Sequence, residues 1–518
     1  VCFYARTVSP HRMRPSLVAR LFEEIARGAE FARLLVALDV SAPGYKPPNP
    51  AEPEAPFYAT GLVEPVRALT AVLLQQRMGL PLLYVTQSNR DAEQALDTIT
   101  AWAKLVGAPA PTFIPTHDIR PYQGLSPHAD ISEKRAQGLG KLARGEAAIV
   151  VIPVAALASR VEPPKFYQRL SRTIHRRDQL DLEELFEHLE GAGYTRHDPV
   201  EMPGQFAQRG GILDVFPAEA RRPVRLELDG DEVASLREFD ADTQRSVGGR
   251  DHVDLPPLTE FPLMKELLDK LASELGAAAF DYDTYVSGEP FPGWEFMLPL
   301  VQPLRHTVSD LCPEAVYFLD EPADLEREME RLWTLLESEH AAARAEYNEA
   351  VAEGSPARPV APPDSFYIAW DELRGKLKDQ PTLRLVGLDP EPPATVFEFR
   401  SLPATGAHGN LPVFFSELQR LLEAQFRVLI LTGSSGESER LGELFRDEKI
   451  PFRLLDRASS APGSDRADAL TEEDIAQPAV WLGTGIATHG FTLPGERLAI
   501  FGHQDIFDTS PAVAPPAP

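Results

Sequence analysis

Two arginines and one missing lysine frame the chemistry open to this chain. Arg209 precedes Gly210 and Gly211, so little neighbouring bulk shields its guanidinium. Arg225 opens a run in which Arg225, Glu227 and Asp229 alternate with Val224, Leu226 and Leu228, closed by Gly230-Asp231 before Val233–Phe239. A period of two puts the charged trio on one strand face and the apolar trio on the other, and the Gly-Asp turn makes the pair a hairpin. The apolar trio packs inward, which leaves Arg225 free at the surface. A planar, permanently charged fork of this kind engages carboxylates in pairs and is enriched at protein interfaces. The residues alone leave a second reading open, in which both arginines pair with local carboxylates on a solvated face. Asp229, on the same face as Arg225, is one such carboxylate.

Nucleotide hydrolysis needs Gly-x4-Gly-Lys-Ser/Thr after a strand, because backbone amides cradle the phosphates, Lys reaches the β and γ oxygens, and the hydroxyl holds Mg²⁺. No Gly-Lys-Ser/Thr occurs in the chain. Where that loop belongs, the sequence reads Ala59-Thr60-Gly61-Leu62-Val63-Glu64-Pro65-Val66-Arg67. Glu64 sets negative charge beside the phosphates, and Pro65 removes an amide donor. The apolar run Ala315–Leu319 ends in Asp320-Glu321, which resembles a metal-coordinating acidic pair but reads as a decorated strand end without a phosphate loop. Gly61, Glu64, Asp320 and Glu321 are thus the remains of a degenerate nucleotide site, and no ATP turnover is expected. Gly433-Ser434-Ser435-Gly436 suits an anion at a helix N-terminus, although an ordinary capped turn is the commoner use. Ser126-Pro127 lacks the Gly-x-Ser-x-Gly surroundings of a nucleophile. The 12 histidines show no metal-ligand spacing, and His117 and His128, flanking a proline-rich loop, read as structural. Catalytic residues, metal ligands and a resident cofactor are expected to be absent.

Bulk properties narrow the partners. At 518 residues, 43% hydrophobic and 25% charged, the chain has material for three or four domains with buried cores. Its 51 basic against 78 acidic residues give a net charge of −27, which repels phosphate backbones. Cys2 and Cys312 are too few for a disulfide framework and suit a reducing cytoplasm. No apolar run reaches the roughly 18 residues that a membrane helix needs. Val18–Val40, broken by Arg20, Glu23, Glu24, Arg27, Glu30 and Arg33, reads as an amphipathic surface helix. A start at Val1 and a Pro/Ala string over Pro511–Pro518 make both ends read as cut.

The elements that must position these residues alternate along the chain. Leu82–Thr86 and Ala148–Ile152 are continuous apolar runs followed or preceded by helical patterns, near 91–106 and 131–144. Such alternation predicts a parallel, doubly wound sheet. Thr173–Asp240 changes to a half-wet, antiparallel grammar and reads as an inserted small α+β domain. The α/β pattern resumes after Pro256, with Leu325, Met329, Leu332, Leu336, Ala343 and Tyr347 at helical spacing. A last unit from about Leu411 contains strands at 427–431 and 497–501 and a helix over 437–448. Proline-rich stretches at 41–56 and 354–363 read as extended linkers.

At this point the order of motifs resembles the transcription-repair coupling factors of bacteria. Thr116-His117-Asp118, Pro121-Tyr122, Leu125-Ser126-Pro127-His128, Arg135 and Gly145–Leu157 carry the first part of the likeness. Gln208-Arg209-Gly210-Gly211-Ile212-Leu213-Asp214-Val215-Phe216-Pro217, Val224–Glu227, Gly230–Val233, Leu236-Arg237 and Phe239-Asp240 carry the second. The resemblance covers about 60–508 and is strongest over 112–256. It implies a module similar to the excision-repair protein UvrB: a helicase-like, degenerate P-loop α/β domain in two halves (57–168 and 256–405), with an inserted UvrA-binding domain at 169–255. An N-terminal extension and linker (1–56), a further small α/β domain (406–510) and a Pro/Ala linker (511–518) complete the expected plan. In such proteins an RNA-polymerase-binding domain and an ATP- and Mg-dependent double-stranded-DNA translocase follow, beyond this sequence. The resemblance also implies that Arg209 and Arg225 contact UvrA, on a surface masked by the motor half until the enzyme works on DNA. The family often carries an aromatic residue where this chain has Asp229, so an apolar anchor is lost there. A different class, an independent nucleotide-dependent α/β enzyme or DNA-unwinding ATPase, is disfavoured by the missing Gly-Lys-Ser/Thr and the acidic balance.

Overall fold

The apolar runs become one parallel and one mostly parallel sheet that share a layer of helices. The computed structural model describes residues 17–38, 56–262, 291–455 and 477–507, except 356, 389, 391, 408, 486 and 488, together with 267, 269–271 and 273. The first sheet has seven strands in the order Thr395–Glu398, Phe57–Thr60, Thr382–Leu385, Val316–Asp320, Leu82–Thr86, Ile149–Pro153, Thr112–Phe113. All its pairings are parallel. Its central strands are buried on both faces: Leu82, Tyr84, Val151 and Phe318 face one core, and Leu83, Val85, Val150 and Leu319 face another. That two-sided burial is why these segments read as unbroken hydrophobic runs.

A second mostly parallel sheet is built from Leu402–Pro403, Phe491–Leu493, Leu498–Phe501, Arg427–Thr432, Val480–Thr484 and Phe452–Leu454, in that order. Helices Leu17–Ile25, Ala29–Leu38, Glu64–Met78 and Asn89–Val106 contribute to the same core as the inner faces of both sheets. Trp102 is fully buried in it, edge-on to Phe22 at 5.6 Å and to Phe491 at 5.8 Å, with its indole N–H donating to the Pro65 carbonyl at 3.0 Å. Arg427 of the second sheet pairs with Glu24. The segment 17–38 is therefore two helices, broken by a turn at Gly28 that bonds back to Ile25. They are not the single surface helix that the charge pattern predicts, because Leu21, Phe22, Phe31, Leu34 and Leu38 are buried between the sheets. Of the proline-rich stretch 354–363, the end is packed: Ala361 and Pro363 are buried, and the Ala361 carbonyl accepts from the Tyr122 hydroxyl at 2.8 Å. The stretches 41–55 and 511–518 lie outside the described residues.

Between the two halves of the first α/β unit a six-stranded sheet is inserted, antiparallel except at its edge strand Thr195–Arg196, which runs parallel to its neighbour. Its order is Ser246–Gly249, Glu232–Phe239, Val224–Asp229, Ile212–Val215, Gln205–Arg209, Thr195–Arg196. Arg172–His175 and His252–Leu255 pair with each other and close the base of the insert. Just beyond that base, Glu260 receives Arg135 Nε at 2.6 Å and lies 2.6 Å from His117 Nε2. Arg135 is 1% exposed, and it also donates to the Pro115 carbonyl at 2.8 Å. Burial pushes the Glu260 carboxyl up, but Arg135 and His117 together hold it down at about 2. The three residues tie the chain leaving the insert to the first α/β unit.

Candidate partner-binding site

Strand Ile212–Val215 sends Leu213 and Val215 into the core of the inserted domain, which turns Ile212 and Asp214 to the opposite face. Cross-strand register places Asp214 between Ala207 and Arg225, and Ile212 between Arg209 and Glu227. Asp214 is 0% exposed. Arg225 grips it bidentately, Nε to Oδ1 at 2.6 Å and Nη2 to Oδ2 at 2.7 Å, and Arg209 reaches diagonally to donate from Nη2 to Oδ2 at 2.7 Å. The hydrogen bonds to Asp214 raise the Arg225 pKa further. Beneath it lies the ring of Phe239, 4.5 Å from the guanidinium and fully buried with Val200, Ala207 and Phe216. Gln244 Oε1 accepts from Arg225 Nη2 at 3.4 Å.

The face that the alternation predicts therefore exists, and Leu228 packs against the core as expected. One expectation is corrected. Arg225 is not free: its side chain is 18% exposed and committed to Asp214, whereas the Arg209 side chain is 45% exposed. Asp229 does not take Arg225 either; it is exposed at the hairpin end, opposite Glu232. Arg209 Nη1 lies 3.5 Å from Asp198 Oδ1, a loose surface pair. Asp214 is the residue that sequence reasoning missed. Its signal was present: a lone acid between Leu213 and Val215 in a strand next to the one bearing Arg225.

Gly61, Glu64, Asp320 and Glu321, expected from the sequence to form a degenerate nucleotide site, lie at or just beyond the C-terminal ends of Phe57–Thr60 and Val316–Asp320. Gly61 has φ +71°, and a Cβ there would stand 2.0 Å from the Phe399 carbonyl oxygen. Its glycine is thus demanded by a close backbone approach, fastened by Ser401 Oγ, which donates to the Gly61 carbonyl at 2.7 Å and accepts from Val63 N–H at 2.8 Å. Glu64 and Pro65 open the following helix, and Arg67, one turn on, pairs with both Asp320 and Glu321, the latter at 2.7 Å. Tyr84 donates its hydroxyl to Asp320 at 3.1 Å. Burial holds the Asp320 carboxyl above its ordinary value even beside Arg67. The acid pair at the strand end is therefore engaged from within the chain by Arg67, a partner that the sequence reading did not single out. At Gly433 the amide donates to Glu437 at 2.9 Å, and Ser434 caps Glu437 N–H at 3.3 Å, so the turn is closed by its own helix. Among the described residues no group of three or more His, Cys, Asp or Glu could hold a metal ion, and no helix is long and apolar enough to cross a membrane.

A mostly antiparallel sheet domain let into a parallel α/β frame, with an arginine pair on its outer face, places this chain among α/β proteins carrying an inserted small domain. The UvrB interaction domain family matches residues 173–261, the span of that insert. The chain is 30% identical over 399 residues to the transcription-repair-coupling factor of Escherichia coli (strain K12), a match covering 74% of this chain and 32% of that protein. It is 28% identical over 429 residues to the one from Myxococcus xanthus, covering 77% and 34%. With the one from Bacillus subtilis (strain 168) it shares 23% over 470 residues, covering 86% and 38%. The chain belongs to the family of transcription-repair-coupling factors. It spans about a third of the length of these relatives.

Proposed function

We propose that this chain is the partner-recruiting region of a transcription-repair-coupling factor, docking UvrA through the outer face of its inserted domain in transcription-coupled excision repair. The observation that carries this reading is the convergence of Arg209 and Arg225 on one carboxylate, on the face of the domain that matches the UvrB interaction family. Two preoriented guanidiniums suit an acidic partner surface, since Arg is enriched among residues that dominate binding energy. The seven-stranded sheet we read as a degenerate helicase-like domain, its strand-end acids occupied by Arg67 and its first turn filled by Glu64 and Pro65. RNA polymerase binding, double-stranded-DNA binding and ATP- and Mg-dependent translocation we assign to the parts of the relatives beyond this chain's match. The −27 charge supports that division, because an acidic segment disfavours bulk contact with DNA.

Titration of the purified chain with UvrA from the same source tests the docking role. Arg209→Ala and Arg225→Ala are expected to weaken binding by on the order of 1–3 kcal/mol each. Unchanged affinity for both variants overturns it.

A further inference from the structure

The docking face sets two acids, Asp214 and Asp198, against the two arginines, and the two acids do different work. Asp214 is wholly buried and receives three N–H bonds from the two arginines. A carboxylate so placed fixes both guanidinium planes before any partner arrives, and Phe239 supports one of them from below. Asp198 is the opposite case. Its side chain is 54% exposed, and it approaches Arg209 only through Nη1, at 3.5 Å, beyond a good hydrogen bond. Asp214 and Asp198 offset the two arginines charge for charge, so the arginine corner carries no net positive charge while Asp198 stays in place. Along the same face Glu227 and Asp229 repel a second acid, while Ser235 Oγ donates to Glu227 at 2.6 Å. Arg225 is committed to Asp214 and Arg237 stands 3.7 Å from Glu227, so an incoming carboxylate meets the 45%-exposed Arg209 side chain, where Asp198 already stands.

Resting on the docking role above, we propose that Asp214 is a positioning residue that presets the arginine fork, and that Asp198 is an internal stand-in which a carboxylate of the partner protein displaces. The complementary partner surface is acidic, and its key contact exchanges one carboxylate for another on Arg209. Removing the stand-in strengthens docking, because a partner no longer competes with a group held next to its target. Removing the anchor weakens docking, because the guanidiniums lose their fixed orientation.

The experiment is calorimetric titration of the whole chain with UvrA, at low and at raised salt, for wild type, Asp198→Asn, Asp214→Asn, Arg209→Ala and Arg225→Ala. Asp198→Asn is expected to tighten binding about two- to fivefold, the size of one exposed ion pair, with the gain shrinking as salt rises. Asp214→Asn is expected to weaken it about tenfold, and to add nothing in a chain already carrying both arginine substitutions. Thermal melts accompany each variant, and because Asp198 is exposed its variant is read even where Asp214→Asn unfolds. Arginine variants that weaken binding while Asp198→Asn leaves it unchanged or weaker overturn this inference alone. Arginine variants without effect, or no binding by wild type, overturn the docking role and this inference with it.

Discussion

Glu260 is the clearest case of one side chain holding distant pieces of sequence together. It is 125 residues from Arg135 and 143 from His117, and it accepts from both at 2.6 Å in a buried site. Breaking a buried ion pair by removing one member leaves the other charge without compensation, which costs about 3–5 kcal/mol. Glu260→Gln is therefore expected to lower the chain's stability by that order in chemical denaturation, although its shape is almost unchanged. The same site predicts an acid dependence. The Glu260 carboxyl sits at about 2 when folded against an ordinary 4.5, so its stabilisation is present above 4.5 and fades as pH falls from there toward 2. Burial lowers the His117 pKa below its ordinary 6.5, so the unfolded chain takes up that proton first, and stability also declines as pH falls below 6.5. Both groups act in one direction. Unfolding free energy measured between pH 7 and pH 3 should fall, and fall less in Glu260→Gln; a parallel decline in the two proteins refutes the assignment.

Elements explain what was legible in the sequence and what was not. The strands Leu82–Thr86 and Arg427–Thr432, the hairpin of Val224–Asp229 with Glu232–Phe239, and the long helix Pro322–Ala352 all follow the local periodicity, because in each the pattern of burial is set along the chain itself. The site residues of the hairpin were legible for the same reason: alternation alone sets Arg225 opposite Leu226. Arg67 was not, and Asp214 showed only as a lone acid between Leu213 and Val215, because their partners come from a neighbouring strand or helix and from register, which one chain segment does not encode. Nor was the burial of 17–38, whose charges at 20, 23, 24, 27, 30 and 33 suggest a wet face until two sheets are brought against the other side. Trp102 is where those layers meet, touching Phe22 of the first helix and Phe491 of the second sheet. A large-to-small change in such a core loses transfer energy and leaves a cavity, together about 3–5 kcal/mol. Trp102→Ala is expected to cost that amount and to raise hydrogen exchange in 17–38 and 491–501 together. Protection lost only within 89–106 counts against a shared layer.

At the scale of the molecule the parallel and the mostly parallel sheet form one body through their common core, whereas the inserted domain keeps a core of its own. Its 16 buried apolar residues in the main cluster all lie between Ile174 and Leu255. Its entry and exit strands pair, Arg172 opposite Leu255, so the chain leaves the insert beside the point where it entered. Across the boundary stand a few contacts: Lys141 to Glu219 at 2.6 Å, Arg144 to Ser171 Oγ at 2.7 Å, and the Leu258 side chain packed on the insert's core. Closed ends, a private core and few boundary contacts are the marks of a unit that folds by itself, and a piece of this size is above that at which a single core stops sufficing. Residues 171–258 produced alone are therefore expected to give a dispersed amide spectrum and one cooperative melt. Glu260 stays behind in that piece's absence, so its pairing with Arg135 and His117 contributes to the parent chain and not to the insert. If the proposed docking role holds and the face is self-sufficient, the excised domain is expected to bind UvrA within about threefold of the whole chain, a difference below 1 kcal/mol. A collapsed but undispersed spectrum would show that the arginine fork is held in shape by the parallel sheets as well as by Asp214.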